Sequence, residues 1–268
     1  MKIALLVSGI YKNSTVVLSD FLTYLRNQPN IEVVDVYMHF WWDKKYVGKR
    51  YRIDHLSIVE DDPSNDIETH IKPVKYVLEP QVEFNLNGLP KACEAGGSSL
   101  QREIGYFSTL SQIESLERCL KLIDNPERYD CIWRHRADLF IQDSNYIFNI
   151  TDTMLKDSCI WIADGQFFTG WPYGDWSFIG NRVSMTTFIN NWGAHFREYC
   201  ISIGKFPHIH LYFPRVIKYM SMEPIRWHIP INISRKSDKY KGYLIMDTVN
   251  SNLGLKPFFW DLMDKTRL

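Results

Sequence analysis

The hydrophobic and polar positions of the chain alternate between two periods. Lys2 to Val7 reads as a continuous apolar strand that ends in Ser8-Gly9. A helix-compatible segment, Thr15 to Arg26, follows it. Glu32 to His39 and Val74 to Leu78 read as second and third strands. The charged segment between them, Asp43 to Lys72, carries Glu60-Asp61-Asp62-Pro63 and reads as a surface insertion. Asn85 to Ser99, with Gly88, Pro90, Gly96 and Gly97, is expected to be a mobile loop and a candidate lid. From Gln101 to Ile123, apolar residues at Ile104, Phe107, Leu110, Ile113, Leu116 and Leu120 recur every three or four positions and define one face of a helix.

Tyr129 to Arg136 is the next strand, with Ala137-Asp138 at its carboxyl end; Ser158 to Ala163 and Trp176 to Ile179 are shorter ones. Helical patterns cover Val183 to Ile203 and His210 to Met220, and Ile225 to Ile229 forms a late strand before a basic tail, Arg235 to Lys241. Strands alternating with helices predict an α/β sandwich around a mostly parallel sheet. The 268 residues suit one domain spanning 1–268, with no internal repeat.

Composition narrows the classes of function. Lysine plus arginine and aspartate plus glutamate both number 31, which argues against a nucleic-acid partner held through phosphates. The five cysteines are widely spaced without a C-x-x-C pair, so a reducing, cytoplasmic setting is expected rather than a disulfide scaffold or zinc site. No apolar run reaches the roughly 18 residues of a membrane span, which leaves peripheral membrane association at most. The sequons at Asn13, Asn149 and Asn232 then read as chance matches. Aromatic residues make up 15% of the chain, enough for a core and for platforms that stack on sugar rings or bases.

Ligands of open α/β sheets bind beyond the carboxyl ends of the strands, so polar residues there are the first candidates. Ser8-Gly9-Ile10-Tyr11-Lys12 offers a backbone approach to a phosphate or base, with a lysine for its charge. A serine-capped turn is the plainer reading, and both the P-loop and the dinucleotide fingerprint are missing. The absent glycine-rich loop also disfavours a methyltransferase or an epimerase. His39, with Trp41, closes the second strand. In Trp133-Arg134-His135-Arg136-Ala137-Asp138, cationic groups and a carboxylate crowd one strand end. They form either a structural ion network or a site in which arginines grip phosphate and the aspartate holds a ribose hydroxyl or a divalent cation. Asp175 beside Trp176 suits a saccharide acceptor, the indole stacking and the carboxylate taking a hydroxyl proton; Asp164 is a second candidate base. His208 and His210 diverge at i and i+2, which is poor metal geometry. Arg235 could close over phosphates or belong to a solvated tail.

Taken together, Ile3 to Lys12, Asp35-Val36-Tyr37-Met38-His39-Phe40-Trp41, the helix from Tyr106 to Leu122, Tyr129 to Leu139 with its Arg-x-Arg-x-Asp-Leu, and Asp175-Trp176-Ser177-Phe178-Ile179-Gly180 resemble one family. This is the GT-A-like nucleotide-sugar glycosyltransferases of bacterial capsule and lipopolysaccharide genes and of large DNA viruses. The resemblance implies a GT-A-like, Rossmann-type fold with a nucleotide-sugar half over residues 1–140 and an acceptor half over 141–268. It implies transfer, with inversion, of a hexosyl or pentosyl group from a nucleoside diphosphate sugar to a glycan or other hydroxyl acceptor. Ser8, Gly9, Lys12, His39, Arg134, Arg136, Asp138 and Arg235 would face the donor, and Trp176, His208 and His210 the acceptor. Asp175, with Asp164 as second, would be the base. The family's metal-binding Asp-x-Asp is here Arg136-Ala137-Asp138, which leaves Asp138 as the lone candidate ligand for Mn2+ or Mg2+. A non-catalytic nucleotide- or carbohydrate-binding module on the same fold is the alternative.

Overall fold

The computed structural model describes residues 1–11, 15–47, 61–94, 99–141, 146–148, 150, 152–163, 175–207, 212–227, 229 and 231–233. Its centre is β1 (Lys2–Ile10), whose apolar run is buried on both faces as a central parallel strand requires. Beside it on one side lies β2 (Val33–Trp41) and then β3 (Lys75–Glu79); on the other side lies β5 (Cys131–His135). The sheet continues through β8 (Ser177–Asn181) and β7 (Cys159–Ala163) to β10 (Glu223–Trp227), in the order β10-β7-β8-β5-β1-β2-β3. Six of the seven strands share one direction, and β8 runs against both of its neighbours. The fold is thus an α/β sandwich around a mostly parallel sheet.

Two short pairings complete the strands. A parallel pair joins β4 (Ala92–Cys93) to β9 (Lys205–Phe206), and an antiparallel pair joins β6 (Leu139–Ile141) to β11 (Ile231–Ile233).

The pleat of β1 separates two cores. Ile3, Leu5 and Val7 face α1 (Thr15–Arg26), which buries Leu18, Phe21, Leu22 and Leu25 at helical spacing. Ala4 and Leu6 face α2 (Ser99–Leu120) and α3 (Arg182–Ile203). Leu110, Ile113, Leu116 and Leu120 supply the buried stripe of α2; Met185, Phe188, Ile189, Trp192 and Phe196 supply that of α3. The short α4 (Tyr212–Tyr219) adds Tyr212, Phe213, Val216 and Ile217 to the same core. Asn181 caps α3 by accepting the Ser184 amide at 2.7 Å, and Gly204 ends it at φ 67°.

Several boundaries differ from the sequence reading. The fourth long strand stops at His135, where its pairing with β1 ends, although the Arg136 amide still donates to the Trp176 carbonyl at 3.0 Å in the register of β8. The late strand begins earlier, at Glu223, whose amide donates to the Ser158 carbonyl at 2.7 Å and sets its register on β7. Within the Asp43–Lys72 segment, the helical turn from Ser64 to Ile71 buries Ile67 and Ile71 against the α1 core, so that part is structural rather than a surface excursion; residues 48–60 lie outside the described residues. Of the Asn85–Ser99 stretch expected as a mobile loop and lid, residues 95–98 lie outside the described residues, and its Asn85–Glu94 part is tied to the helical side. Glu94 accepts both Arg215 Nη1 contacts, at 2.8 and 2.9 Å, its amide donates to Phe206, and Arg197 donates to the Asn85 carbonyl.

Candidate active site

The chain leaves β1 for β2 and β3 on one side of the sheet, and β5 lies on the other. The segments that follow these two adjacent strands, α1 after β1 and β6 after β5, pack in one core on the same face of the sheet, and the carboxyl ends of the strands are where open α/β sheets hold ligands. The register places Leu6 beside Arg134 and Val7 beside His135, so Ser8-Gly9, still paired with β2, and Arg136-Ala137-Asp138 stand at the same level just past the end of the β1–β5 pairing. Because β8 is antiparallel and pairs Ser177 with His135, its first residues, Asp175 and Trp176, arrive at this same end.

Gly9 has φ 128°, a region closed to most side-chain-bearing residues, and bends the backbone within β1, which stays paired with β2 through Ile10. Its amide donates to Ser115 Oγ of α2 at 2.9 Å. The same hydroxyl lies 2.8 Å from His39 Nδ1 and 3.1 Å from the His39 carbonyl. On the other side of the ring, His39 Nε2 lies 2.7 Å from Glu79, which also accepts Arg118 Nη1 at 2.6 Å. Arg118 in turn bonds Glu114 and lies over the Trp41 ring at 5.1 Å. Burial pushes the His39 imidazole below its ordinary pKa, against the pull of Glu79. Burial opposes ionisation of Glu79, but hydrogen bonds from His39 and Arg118 outweigh it and hold the carboxyl low. His39, 1% exposed with both ring nitrogens engaged, braces the bend from behind and presents no free atom to a ligand. Ser8 Oγ is buried at the bend with no hydrogen-bond partner among the described residues.

The second strand end is built around a buried cation. Arg134 is 1% exposed; its Nη1 donates to the carbonyls of Trp176 and, at 2.7 Å, of Asp175. Burial depresses its pKa to about 10 against the opposing field of Asp175. The Asp175 carboxylate accepts the hydroxyl of Tyr212 at 3.1 Å, and Gln112 donates to the Asp175 carbonyl at 3.1 Å. Trp176 is half-buried, its ring packed on the α1-side core.

Arg136 and Asp138 form a forked pair, Nε to Oδ1 at 2.8 Å and Nη2 to Oδ2 at 2.5 Å, so the ion-network reading of this motif is realised in the fold. Next to them His135 is fully buried, stacked on Phe21 at 3.8 Å between ring centroids. Its Nδ1 lies 3.1 Å from Ser177 Oγ and its Nε2 3.4 Å from the Leu139 carbonyl, and Ser177 also accepts Trp133 Nε1. Burial pushes the His135 imidazole down to about 3.

The structure thus gathers Ser8, Gly9, Arg134, Arg136, Asp138, Asp175 and Trp176 at one end of the sheet, with His39 behind them. Lys12, Asp164, His208, His210 and Arg235 lie outside the described residues. Among the described residues Asp138 is the single carboxylate of the Arg136-Ala137-Asp138 motif. Both oxygens of Asp138 are held by Arg136, and no three described His, Cys, Asp or Glu side chains converge there. Sequence reasoning missed Glu79, Gln112, Ser115, Arg118 and Tyr212. Only Ser115 carried a signal: Ser111, Ser115 and Cys119 repeat at i+4 along α2, and small side chains there bring the helix close to the strand ends.

No protein-family model matches the chain, and no curated protein does. Among solved structures, HddC from Yersinia pseudotuberculosis complexed with GMP-PN is similar with a TM-score of 0.41 and 10% identity, covering 92% of this chain and 99% of that one. A mannose-1-phosphate geranyltransferase from Thermus thermophilus gives 0.39 and 10%, over 87% of this chain and 76% of that one. The galactosyltransferase LgtC, in complex with donor and acceptor sugar analogs, gives 0.37 and 10%, over 97% and 99%. Likenesses this remote decide nothing about the chemistry of this chain. No helix among the described residues is long and apolar enough to cross a membrane.

Proposed function

We propose that this protein is a glycosyltransferase that moves a sugar from a nucleoside diphosphate sugar to a hydroxyl group of a glycan or other acceptor, with inversion. One observation carries the reading. At the carboxyl ends of β1 and β5, the open backbone bend at Ser8-Gly9 stands beside a strand end bearing Arg134 and Arg136, with the Asp175-Trp176 turn across from it. A bend without a Cβ admits a base or phosphate to the backbone, and guanidiniums suit the diphosphate.

Breaking the bond from sugar to phosphate leaves negative charge on the diphosphate and positive character on the sugar. Preorganised cations stabilise that charge without reorganising at the moment of reaction. Arg136, half-buried and partnered by Asp138, is the group that would exchange its carboxylate for phosphate oxygens, while Arg134 supplies a fixed positive field from beneath. Asp175, held by Tyr212, would accept the proton of the acceptor hydroxyl as that oxygen attacks from the face opposite the leaving group. Trp176 would offer its ring to the acceptor. A donor half over residues 1–140 and an acceptor half over 141–268 belong to the same reading.

The binding-module alternative draws on a specific observation: Asp138 is paired with Arg136, and Asp175 is bonded to Tyr212 beside Arg134, so both carboxylates have internal partners. The test is release of nucleoside diphosphate from a panel of UDP- and GDP-sugars by the purified protein, with and without Mn2+. Turnover that is lost in Asp175→Asn, with nucleotide binding retained, supports the transferase. Binding without turnover of any donor supports the module, and absence of both refutes the donor reading. In Arg136→Ala the Kd for UDP or GDP should rise roughly tenfold, the scale of one charge-assisted hydrogen bond.

A further inference from the structure

We infer that Ser115 is a positioning residue for nucleotide binding: from within α2 its hydroxyl holds the Gly9 amide and fixes the bend on which the donor lies, and His39 and Glu79 orient that hydroxyl. The inference rests on the donor reading of this crevice.

Ser115 is 0% exposed, so it acts through Gly9 and not by touching a ligand. Its oxygen has three neighbours at hydrogen-bond distance, the Gly9 amide at 2.9 Å, His39 Nδ1 at 2.8 Å and the His39 carbonyl at 3.1 Å. Glu79 sets the ring. A carboxylate 2.7 Å from Nε2 keeps the proton on that nitrogen, which leaves Nδ1 to accept the serine hydroxyl, and the serine lone pairs then face Gly9. Should Nδ1 carry a proton as well, the hydroxyl turns to the His39 carbonyl and still accepts the Gly9 amide. The anchor therefore persists in either state of the ring.

At φ 128° the glycine has conformations to choose among, and the side-chain bond from α2 to its amide selects one of them. What the tie positions is the crevice floor. Ser8, one residue earlier, is 4% exposed and points an unpartnered Oγ from the same turn. A buried hydroxyl without a partner is uncommon in a folded protein and is satisfied when a polar ligand group meets it.

Two measurements on the full chain test this. The first follows exchange of the Gly9 amide by NMR in labelled protein without ligand. Ser115→Ala should exchange faster by roughly tenfold or more, and the near-isosteric Ser115→Cys, a weak acceptor, should fall between it and the wild type. The second is calorimetric titration with UDP and with GDP. Ser115→Ala should raise Kd by roughly tenfold, with KM for the donor rising and kcat little changed. If Ser115→Ala does not fold, Ser115→Cys carries the test, and both readouts should shift in the same direction by a smaller factor. Unchanged Gly9 exchange overturns the anchor. Faster exchange with unaltered nucleotide binding overturns the positioning role alone. Failure of the wild-type protein to bind either nucleotide overturns the donor reading and this inference with it.

Discussion

Protonating His135 requires dismantling its surroundings. The ring lies flat on Phe21, Ser177 meets one nitrogen and the Leu139 carbonyl the other, and no water-facing edge remains at 0% exposure. In the unfolded chain the same imidazole titrates near pH 6.5, whereas in the fold it is pushed down to about 3. Between those values the unfolded state binds a proton that the native state refuses, so stability is lost as pH falls from 6.5 toward 3. At pH 5 the difference amounts to ~2 kcal/mol, taking 1.36 kcal/mol per pH unit over the 1.5 units below the unfolded value.

Urea unfolding followed by tryptophan fluorescence at pH 7.5 and pH 5 reads this out when the wild type is compared with His135→Gln. At pH 7.5 the variant is the weaker protein, having lost the ring stack. At pH 5 the gap between the two should shrink by ~2 kcal/mol, because only the wild type carries the proton penalty. Carboxylates titrate in both proteins and cancel. A gap that stays constant or widens on acidification would refute the assignment of a neutral, buried His135.

Two further perturbations probe the crevice walls. Gly9→Ala meets open space at the added Cβ, so its effect isolates backbone strain; a loss of ~1–3 kcal/mol in urea unfolding is expected, and an unchanged midpoint would contradict the strained bend. Arg134→Leu leaves the carbonyls of Asp175 and Trp176 without their buried donor and strips Asp175 of its neighbouring cation. Destabilisation of ~3–5 kcal/mol is expected, and a loss below about 1 kcal/mol would show the guanidinium to be dispensable to the fold.

The seven strands of the main sheet and the two long helices were legible because burial writes itself into the pattern. Ile3 to Val7 is apolar without a break since both of its faces are covered, and the α2 stripe recurs every three or four residues since one face is. The polar residues of the crevice floor left no such trace. Ser115 is small and helix-tolerated. His39 lies 76 positions before it and Glu79 lies 40 positions after His39, so only the folded register brings the three into a chain of hydrogen bonds. The direction of β8 was equally hidden, because five residues buried in a sheet look alike whichever way they run. The pairing of Arg136 with Asp138 was local enough to foresee, and it stood among the readings of that motif. Tyr212 read only as part of an amphipathic helix, although its hydroxyl reaches a carboxylate 37 positions earlier.

The reversal of β8 has a consequence for how such a protein could diversify. Strands that run with the sheet offer the crevice what comes after them, but this one offers what comes before, so the rim is assembled from exits on one flank and an entrance on the other. Changes at Asp175 and Trp176 would alter one bank without touching the opposite bank, and under the proposed transfer the preferences for donor and acceptor could drift separately on a single scaffold.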